Sequence, residues 1–152
     1  MHYPNFFDSI PTITMQDRLA QLLGTFEDGI VKFSYLDIVK SAGHSCPTVA
    51  GAYLLTVIGL KELYKNEIPK RGEIFVCFKE NPNEGVAGVI ANVVSHITGA
   101  TEQSGFKGLG GKFKRYGLIQ FHANINASIE FKRLDTMEKI TLTYDHSSML
   151  GD

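Results

Sequence analysis

The sequence predicts an α+β fold, with helices packed on an antiparallel or mixed sheet. Two observations carry this prediction: helical patterns dominate the chain up to residue 98, and three strand patterns follow from residue 117 onward. A length of 152 residues is typical of one domain. We therefore expect residues 1–152 to form a single domain, of which residues 1–13 are an N-terminal arm.

The arm is predicted to dock on its own domain or on a partner subunit, because Tyr3, Phe6 and Phe7 are rarely kept in disordered segments. Apolar spacing then predicts helices over residues 14–23, 34–42, 47–65 and 86–98. Thr14 can cap the first helix, and Pro47 suits the first turn of the third. The valine-rich segment 86–98 is assigned to a helix because of its length.

A strand is predicted at 72–79, where a continuous apolar centre indicates that both faces are covered. Cys77 lies in this centre and is therefore predicted to be structural. Alternating apolar and polar residues predict further strands over 117–125, 127–134 and 138–144. The connection at 135–138 fits a hairpin.

Composition and charge exclude several classes of protein. Fifteen basic and 16 acidic residues give a net charge of −1, so a domain-wide basic surface for nucleic acid is absent. No apolar run approaches the ~20 residues of a membrane span, and the first residues lack the pattern of a signal peptide. Two cysteines do not make a disulfide scaffold. These observations predict a cytoplasmic protein with no membrane or nucleic-acid partner.

The sharpest local signal is the GHSCP segment, which places His44 and Cys46 at the start of the helix predicted from residue 47. Unpaired N–H groups and the helix dipole favour a thiolate there. Thiolate and neutral imidazole are common ligands of transition metals. The pair is therefore interpreted as two metal ligands or as a reactive Cys–His pair; the structural alternative is a buried cysteine that only begins the helix.

A metal site needs a third ligand, which must come from elsewhere in the sequence or from a partner chain. His122 and His96 are the candidates, whereas His2 lies in the arm and His146 in the tail. Phe121 and Ala123 face opposite to His122, so that histidine is expected at the surface or at a rim.

The glycine-rich segment 105–117 contains Lys107, Lys112 and Arg115. Glycines let a backbone approach a ligand closely, and cations suit phosphate or carboxylate groups. These three side chains are therefore candidates for binding a small anionic molecule. The segment matches no known phosphate-binding fingerprint, and the alternative is a mobile loop with solvated cations.

The segment GHSCPTVAGAY, Gly43 to Tyr53, resembles the G-H-x-C-P-G-x-x-x-G-Y signature of the FmdE family of formylmethanofuran dehydrogenase subunits. The likeness extends over about residues 34–123. It implies an α+β core, usually a homodimer, with the His and Cys facing a cavity that holds a metal in some members. Some family members accompany a molybdenum or tungsten formylmethanofuran dehydrogenase. Val89, Asn92 and Ala100 stand where members often have Cys, Asp and Cys.

Three hypotheses follow. The first is a metal-binding FmdE-like protein of redox or hydrolytic type, in which His44, Cys46 and a third ligand such as His122 hold zinc and the cations hold an anionic substrate. In the second, Cys46 is a metal-free nucleophile or redox centre and His44 is its base. The third is a non-catalytic accessory or assembly module of a metalloenzyme system, which binds its partner through the aromatic arm.

Overall fold

A computed structural model describes residues 1–144, and within this range the chain forms four α-helices and seven strands. The strands are β1 Ile13–Asp17, β2 Ile30–Phe33, β3 Lys70–Arg71, β4 Ile74–Phe78, β5 Ile119–Gln120, β6 Ile129–Arg133 and β7 Lys139–Leu142. The helices are α1 Arg18–Leu22, α2 Tyr35–Ala42, α3 Pro47–Tyr64 and α4 Ala87–Thr98. The predicted α+β class is confirmed.

The strands form two mixed sheets, with the orders β2-β1-β3 and β5-β4-β6-β7. In the first sheet, β1 pairs antiparallel with β2 and parallel with β3. In the second, β4 pairs parallel with β5 and antiparallel with β6, which forms the predicted hairpin with β7. The helices therefore pack on mixed rather than purely antiparallel sheets.

Local signals at both ends explain why α2, α3 and α4 form as predicted. Ser34 and Asp37 make a reciprocal capping box at the start of α2. Pro47 occupies the first turn of α3, where a missing N–H group costs no helical hydrogen bond. Gly99 ends α4 in the left-handed conformation, with φ at +76°.

The predicted helix over 14–23 is wrong in its first half. Residues 13–17 are strand β1, and only Arg18–Leu22 is helical. Ile13 and Met15 alternate with the less buried Thr14 and Gln16, which is a strand pattern that sends both apolar side chains into the core. The cap of the helix is Asp17 instead of Thr14, since its carboxylate accepts a hydrogen bond from the Ala20 N–H at 3.0 Å.

The strands also differ from their predicted extents. β2 and β3 were not expected, and the segment 117–125 is regular only at Ile119–Gln120. The chain bends at His122, which has a φ of +54°. The His122 and Ala123 N–H groups still donate to the carbonyls of Glu80 and Phe78, so the segment continues beside the end of β4 without strand geometry.

The core is built around α3, which contacts α2, α4, β6 and β7. A Cβ atom on Gly59 would come within 2.6 Å of Leu142 Cδ1 and 3.1 Å of the Phe131 ring, so the glycine permits close packing of α3 on the sheet.

Cys77 is buried, as predicted, and burial raises the pKa of its thiol. Among residues 1–144, no helix combines the length and the apolar character that crossing a membrane requires.

The aromatic arm docks on its own domain. Phe7 is buried, and its ring meets the Tyr35 ring edge-on at a centroid distance of 5.0 Å. Tyr3 stacks on Phe7, whereas Phe6 is 57% exposed. The arm therefore extends the core over the beginning of α2 and leaves one aromatic side chain at the surface.

Candidate functional site

A cavity of about 420 Å³ lies between α2 and α4. Its polar lining consists of hydroxyl, amide and imidazole groups, and its apolar lining comes from the same two helices. We call it the histidine cavity; its lining residues are Ile38, Ser41, Ala42, His44, Val89, Asn92, Val93, Ser95 and His96. The structure thus brings together two histidines that lie 52 positions apart in the sequence.

His44 reaches the cavity from the loop that follows α2. Gly43 ends that helix in the left-handed conformation, with φ at +84°, and turns the chain toward the cavity. The His44 Nδ1 atom lies 3.2 Å from the Ala42 carbonyl oxygen. In the tautomer with a proton on Nδ1, this nitrogen donates to the carbonyl and Nε2 keeps a free lone pair.

His96 reaches the cavity from the last turn of α4 and is half-buried. Burial lowers the pKa of His96, the Arg71 guanidinium lowers it further, and Asp37 opposes the shift. The His96 ring meets the Phe33 ring edge-on at a centroid distance of 5.6 Å. The imidazole is therefore neutral at pH 7 and has both a hydrogen-bond donor and an acceptor.

Cys46 begins α3, as predicted, but it lies outside the residues that line the histidine cavity. The side chain is half-buried against the core and makes no capping hydrogen bond to the helix. Next to it, the hydroxyl groups of Ser45 and Tyr35 are 2.7 Å apart and tie this loop to α2. Of the predicted pair, His44 lines the cavity and Cys46 does not.

His122 is exposed, as predicted, and does not join the histidine cavity. The His122 N–H group donates to the carbonyl of Glu80, which lies in the segment that connects β4 to α4. His96 is in the last turn of α4. Because His122 lies outside the lining of that cavity and belongs to no group of three or more metal-binding side chains within residues 1–144, the described residues do not support its predicted role as a third ligand.

The donor set does not fit a metal ion held by residues 1–144 alone. In this part of the chain, no group of three or more His, Cys, Asp or Glu side chains is arranged to hold a metal. The set of His44, Cys46 and His122 is therefore not assembled within one chain. His146 lies outside the described residues.

Two of the three predicted anion-binding residues, Lys112 and Arg115, line the same cavity, and Lys107 does not. Arg115 is buried, and its Nη2 atom donates to Asp17 Oδ1 at 2.7 Å. Arg71 donates to Asp17 Oδ2 at 3.1 Å, so two guanidinium groups flank one buried carboxylate. Lys112 and Arg115 line a second cavity, whereas Lys107 is exposed and lies outside its lining.

Sequence reasoning missed the polar partners of the histidines. Val89, Asn92, Val93 and His96 follow the i, i+3, i+4, i+7 spacing of one helical face, and all four line the cavity. Asn92 and His96, the two polar residues of this otherwise apolar face, were therefore the available signal. Two of these positions, Val89 and Asn92, are ones at which the chain departs from the FmdE pattern.

Comparisons with protein-family models, with curated proteins and with solved structures found no match for this chain. The resemblance of Gly43–Tyr53 to the FmdE signature therefore stays a prediction from the sequence.

Proposed function

We propose that the protein binds a small polar molecule in the histidine cavity, with His44 and His96 as the groups that contact it. One observation carries the proposal: the two imidazoles line the same cavity together with the Ser41, Ser95 and Asn92 side chains. Cavities of ~300–1,000 Å³ that combine apolar walls with a few convergent polar groups are typical of small-molecule sites. The volume of about 420 Å³ lies at the lower end of that range.

The lining defines the chemistry of the ligand. Among residues 1–144, it contains no Asp, Glu, Lys or Arg, so the cavity offers hydrogen bonds instead of a fixed charge. Hydroxyl and amide groups both donate and accept, and the neutral His96 imidazole does the same. A neutral molecule or weak acid with several hydrogen-bonding groups on a small apolar frame fits this lining best.

A ligand screen by NMR tests this proposal. The imidazole resonances of the wild-type protein are recorded while small amides, alcohols and carboxylic acids are added. A ligand of the cavity is expected to shift the His44 and His96 signals together and to leave the exposed His122 signal unchanged. The variants His44→Ala and His96→Ala assign the signals and are expected to weaken binding about tenfold or more, because each removes a hydrogen bond to the ligand. Ligands that shift only the signals of other histidines contradict the proposal.

A second candidate function is the predicted binding of a transition metal, with zinc as the expected ion. The observation that favours it is the contact of His44 Nδ1 with the Ala42 carbonyl, because metal-binding histidines commonly donate their other N–H group to such an acceptor. Further ligands would then come from a second copy of the chain or from the bound molecule. This candidate and the homodimer implied by the resemblance are proposed together.

Elemental analysis of purified protein separates these candidates. A metal held by the histidine cavity is lost in His44→Ala and retained in Cys46→Ala and in His122→Asn, whose amide tolerates the left-handed backbone at that position. Loss of the metal in Cys46→Ala instead supports the pair that the sequence predicted. No metal in the wild-type protein removes the metal candidate and leaves small-molecule binding.

Cys46 keeps its predicted role as a metal-free nucleophile or redox centre only as an alternative proposal, since it lies outside the lining of the cavity. The accessory-module alternative is favoured by Phe6, which is 57% exposed on the docked arm. Deletion of residues 1–13 would remove partner binding in that alternative. The substitutions of His44 and Cys46 would leave such binding unchanged.

A further inference from the structure

A second cavity, of about 260 Å³, lies between the 105–117 loop and the start of α1. Four of its lining residues are basic, namely Arg18, Arg71, Lys112 and Arg115, and Glu73 is acidic. We call it the basic cavity. The remaining lining comes from Leu19, Gly72 and Phe113.

The charges around the basic cavity do not cancel. Asp17 lies behind it and pairs with both Arg71 and Arg115, at 3.1 Å and 2.7 Å. The Arg18 Nε atom lies 3.4 Å from Glu73 Oε2. Within residues 1–144, four cations thus face two carboxylates, and the cavity keeps a formal excess of two positive charges.

One buried guanidinium nitrogen in the wall has no partner among the described residues. The Arg115 side chain is 9% exposed, and its Nη1 atom makes no hydrogen bond within residues 1–144. This atom packs against Gly72, where any Cβ would collide with it. Because Nη1 is itself buried, it adds positive charge behind the cavity wall instead of a donor on the cavity surface.

Arg71 has spare donors on the same wall. Its Nε and Nη2 atoms donate to the Ile97 and His96 carbonyls at 3.2 Å and 2.8 Å, and Nη1 donates to Asp17. Each Nη atom carries two hydrogens, so one on each remains for a ligand. The free N–H donors of the Arg71 guanidinium group suit the oxygens of an oxyanion.

The loop that brings Lys112 to the cavity is held by hydrogen bonds. The backbone N–H groups of Leu109 and Lys112 donate to each other's carbonyls at 2.8 Å and 3.0 Å across a tight turn. Gly110 and Gly111 form the centre of this turn, both with positive φ. The Arg115 N–H donates to the Phe106 carbonyl at 2.9 Å, which closes the base of the loop.

We propose that the basic cavity binds a phosphoryl group, either as free phosphate or as the end of a small phosphomonoester. A phosphoryl dianion matches the excess of two positive charges. Its oxygens accept from Arg71 and Lys112, while Arg115 adds positive charge behind them. The cavity volume leaves room for a small organic group beyond the phosphorus atom. This site is separate from the histidine cavity, and it does not depend on the function proposed there.

Isothermal titration calorimetry tests the proposal with two ligands, inorganic phosphate and phenyl phosphate, at a constant ionic strength set with chloride. The variants are Lys112→Gln, Lys112→Arg and Lys107→Gln. Lys107 is the matched control, because it lies exposed in the same loop, carries the same charge and does not line the cavity. Both lysines are exposed, so these substitutions are not expected to affect folding.

The wild-type protein is expected to bind at least one of the two ligands at a single saturable site. Lys112→Gln is expected to weaken binding about tenfold, because it removes a charge-assisted hydrogen bond, while Lys107→Gln and Lys112→Arg stay close to wild type. Similar affinities for the two ligands identify free phosphate, and much tighter phenyl phosphate binding identifies a monoester. Absence of saturable binding, or equal losses in Lys112→Gln and Lys107→Gln, overturns the proposal.

Discussion

At the scale of single residues, Asp17 has two structural roles. It caps α1 through the Ala20 N–H group, and it pairs with two arginines that enter from β3 and from the 105–117 loop. The pairing with Arg115 joins positions 98 residues apart. Burial raises the pKa of the Asp17 carboxyl, but the hydrogen bond from Ala20, the charge of Arg115 and the hydrogen bonds from both guanidinium groups outweigh burial and lower the pKa.

Asp17→Asn is therefore expected to lower the free energy of unfolding by about 3 kcal/mol, because it leaves two guanidinium groups without their buried counter-charge. The amide oxygen of asparagine still caps α1, so the loss reports the ion pairs. Urea unfolding measures the change. Asp28→Asn is the matched control, since Asp28 is exposed and asparagine tolerates its left-handed backbone. Equal losses in both variants would contradict this account.

His96 gives a second prediction at the same scale. The lowered pKa of His96 means that the unfolded chain binds a proton more readily than the folded protein does. The stability from the neutral imidazole is therefore fully present above the ordinary value of 6.5 and is lost as the pH falls toward the lower folded pKa. An NMR titration of the imidazole is expected to give a pKa below 6.5 in the folded protein. A value at or above 6.5 would mean that the ring is solvated or paired with a carboxylate.

At the scale of elements, α2 forms one wall of the histidine cavity, and the stability of this helix depends on its capping box. The Ser34 Oγ atom accepts from the Asp37 N–H at 3.3 Å, and the Asp37 carboxylate accepts from the Ser34 N–H at 2.8 Å. Ser34→Ala removes the hydrogen bond from the Asp37 N–H group to the Ser34 hydroxyl and keeps the one from the Ser34 N–H group to the Asp37 carboxylate. The expected loss is about 1 kcal/mol of unfolding free energy, which chemical denaturation measures.

Ser41→Ala provides the comparison for that prediction, because Ser41 lies near the other end of the same helix and does not cap it. Alanine has a higher helix propensity than serine, so this variant is expected to be as stable as the wild type or slightly more stable. A greater destabilisation by Ser41→Ala than by Ser34→Ala would show that the capping box does not control the stability of α2.

The sequence predicts an element well where its signals are local. Pro47 and Gly99 mark the ends of α3 and α4, and the capping box marks the start of α2. β1 was mistaken for a helix because Thr14 and the leucines around position 20 imitate a capped helix, while the strand itself is only five residues long. Short strands such as β3 carry too few residues for a pattern and depend on pairing with distant segments.

The candidate sites were predictable only in part, because they also depend on contacts between distant segments. His44 and Lys112 stood out because of local motifs, and both line cavities. The pairing of His44 with His96 requires α4 to pack against α2, and the burial of Arg115 requires Asp17 from the other end of the chain. Neither of these two contacts can be predicted from the residues adjacent in the sequence.

At the scale of the whole molecule, Arg71 lies between the two cavities, near the C-terminal end of α4. Arg71 lines the basic cavity, donates to the His96 carbonyl and lowers the pKa of the His96 ring, although burial is the larger cause of that shift. One arginine therefore joins both candidate sites. Occupation of the basic cavity by an anion would offset the charge of Arg71 that acts on His96.

The homodimer implied by the FmdE resemblance is a prediction at this scale. Leu54 and Ile58 lie one turn apart on α3 and are 36% and 52% exposed. If two copies pair through this face, Ile58→Lys converts the dimer to a monomer, because a charge is buried in the interface. Analytical ultracentrifugation measures the change, with Leu109→Lys as the control in a different surface region. A monomeric wild-type protein would contradict the prediction.

The central claim is that His44 and His96 form one ligand site from which Cys46 is absent. The most direct measurement is the affinity of the wild-type protein and of the variants His44→Ala, His96→Ala and Cys46→Ala for a ligand found by the imidazole screen. We predict that both histidine variants bind about tenfold more weakly, while Cys46→Ala binds like the wild type. Loss of binding in Cys46→Ala with unchanged binding in His96→Ala would contradict the claim and restore the His44–Cys46 pair.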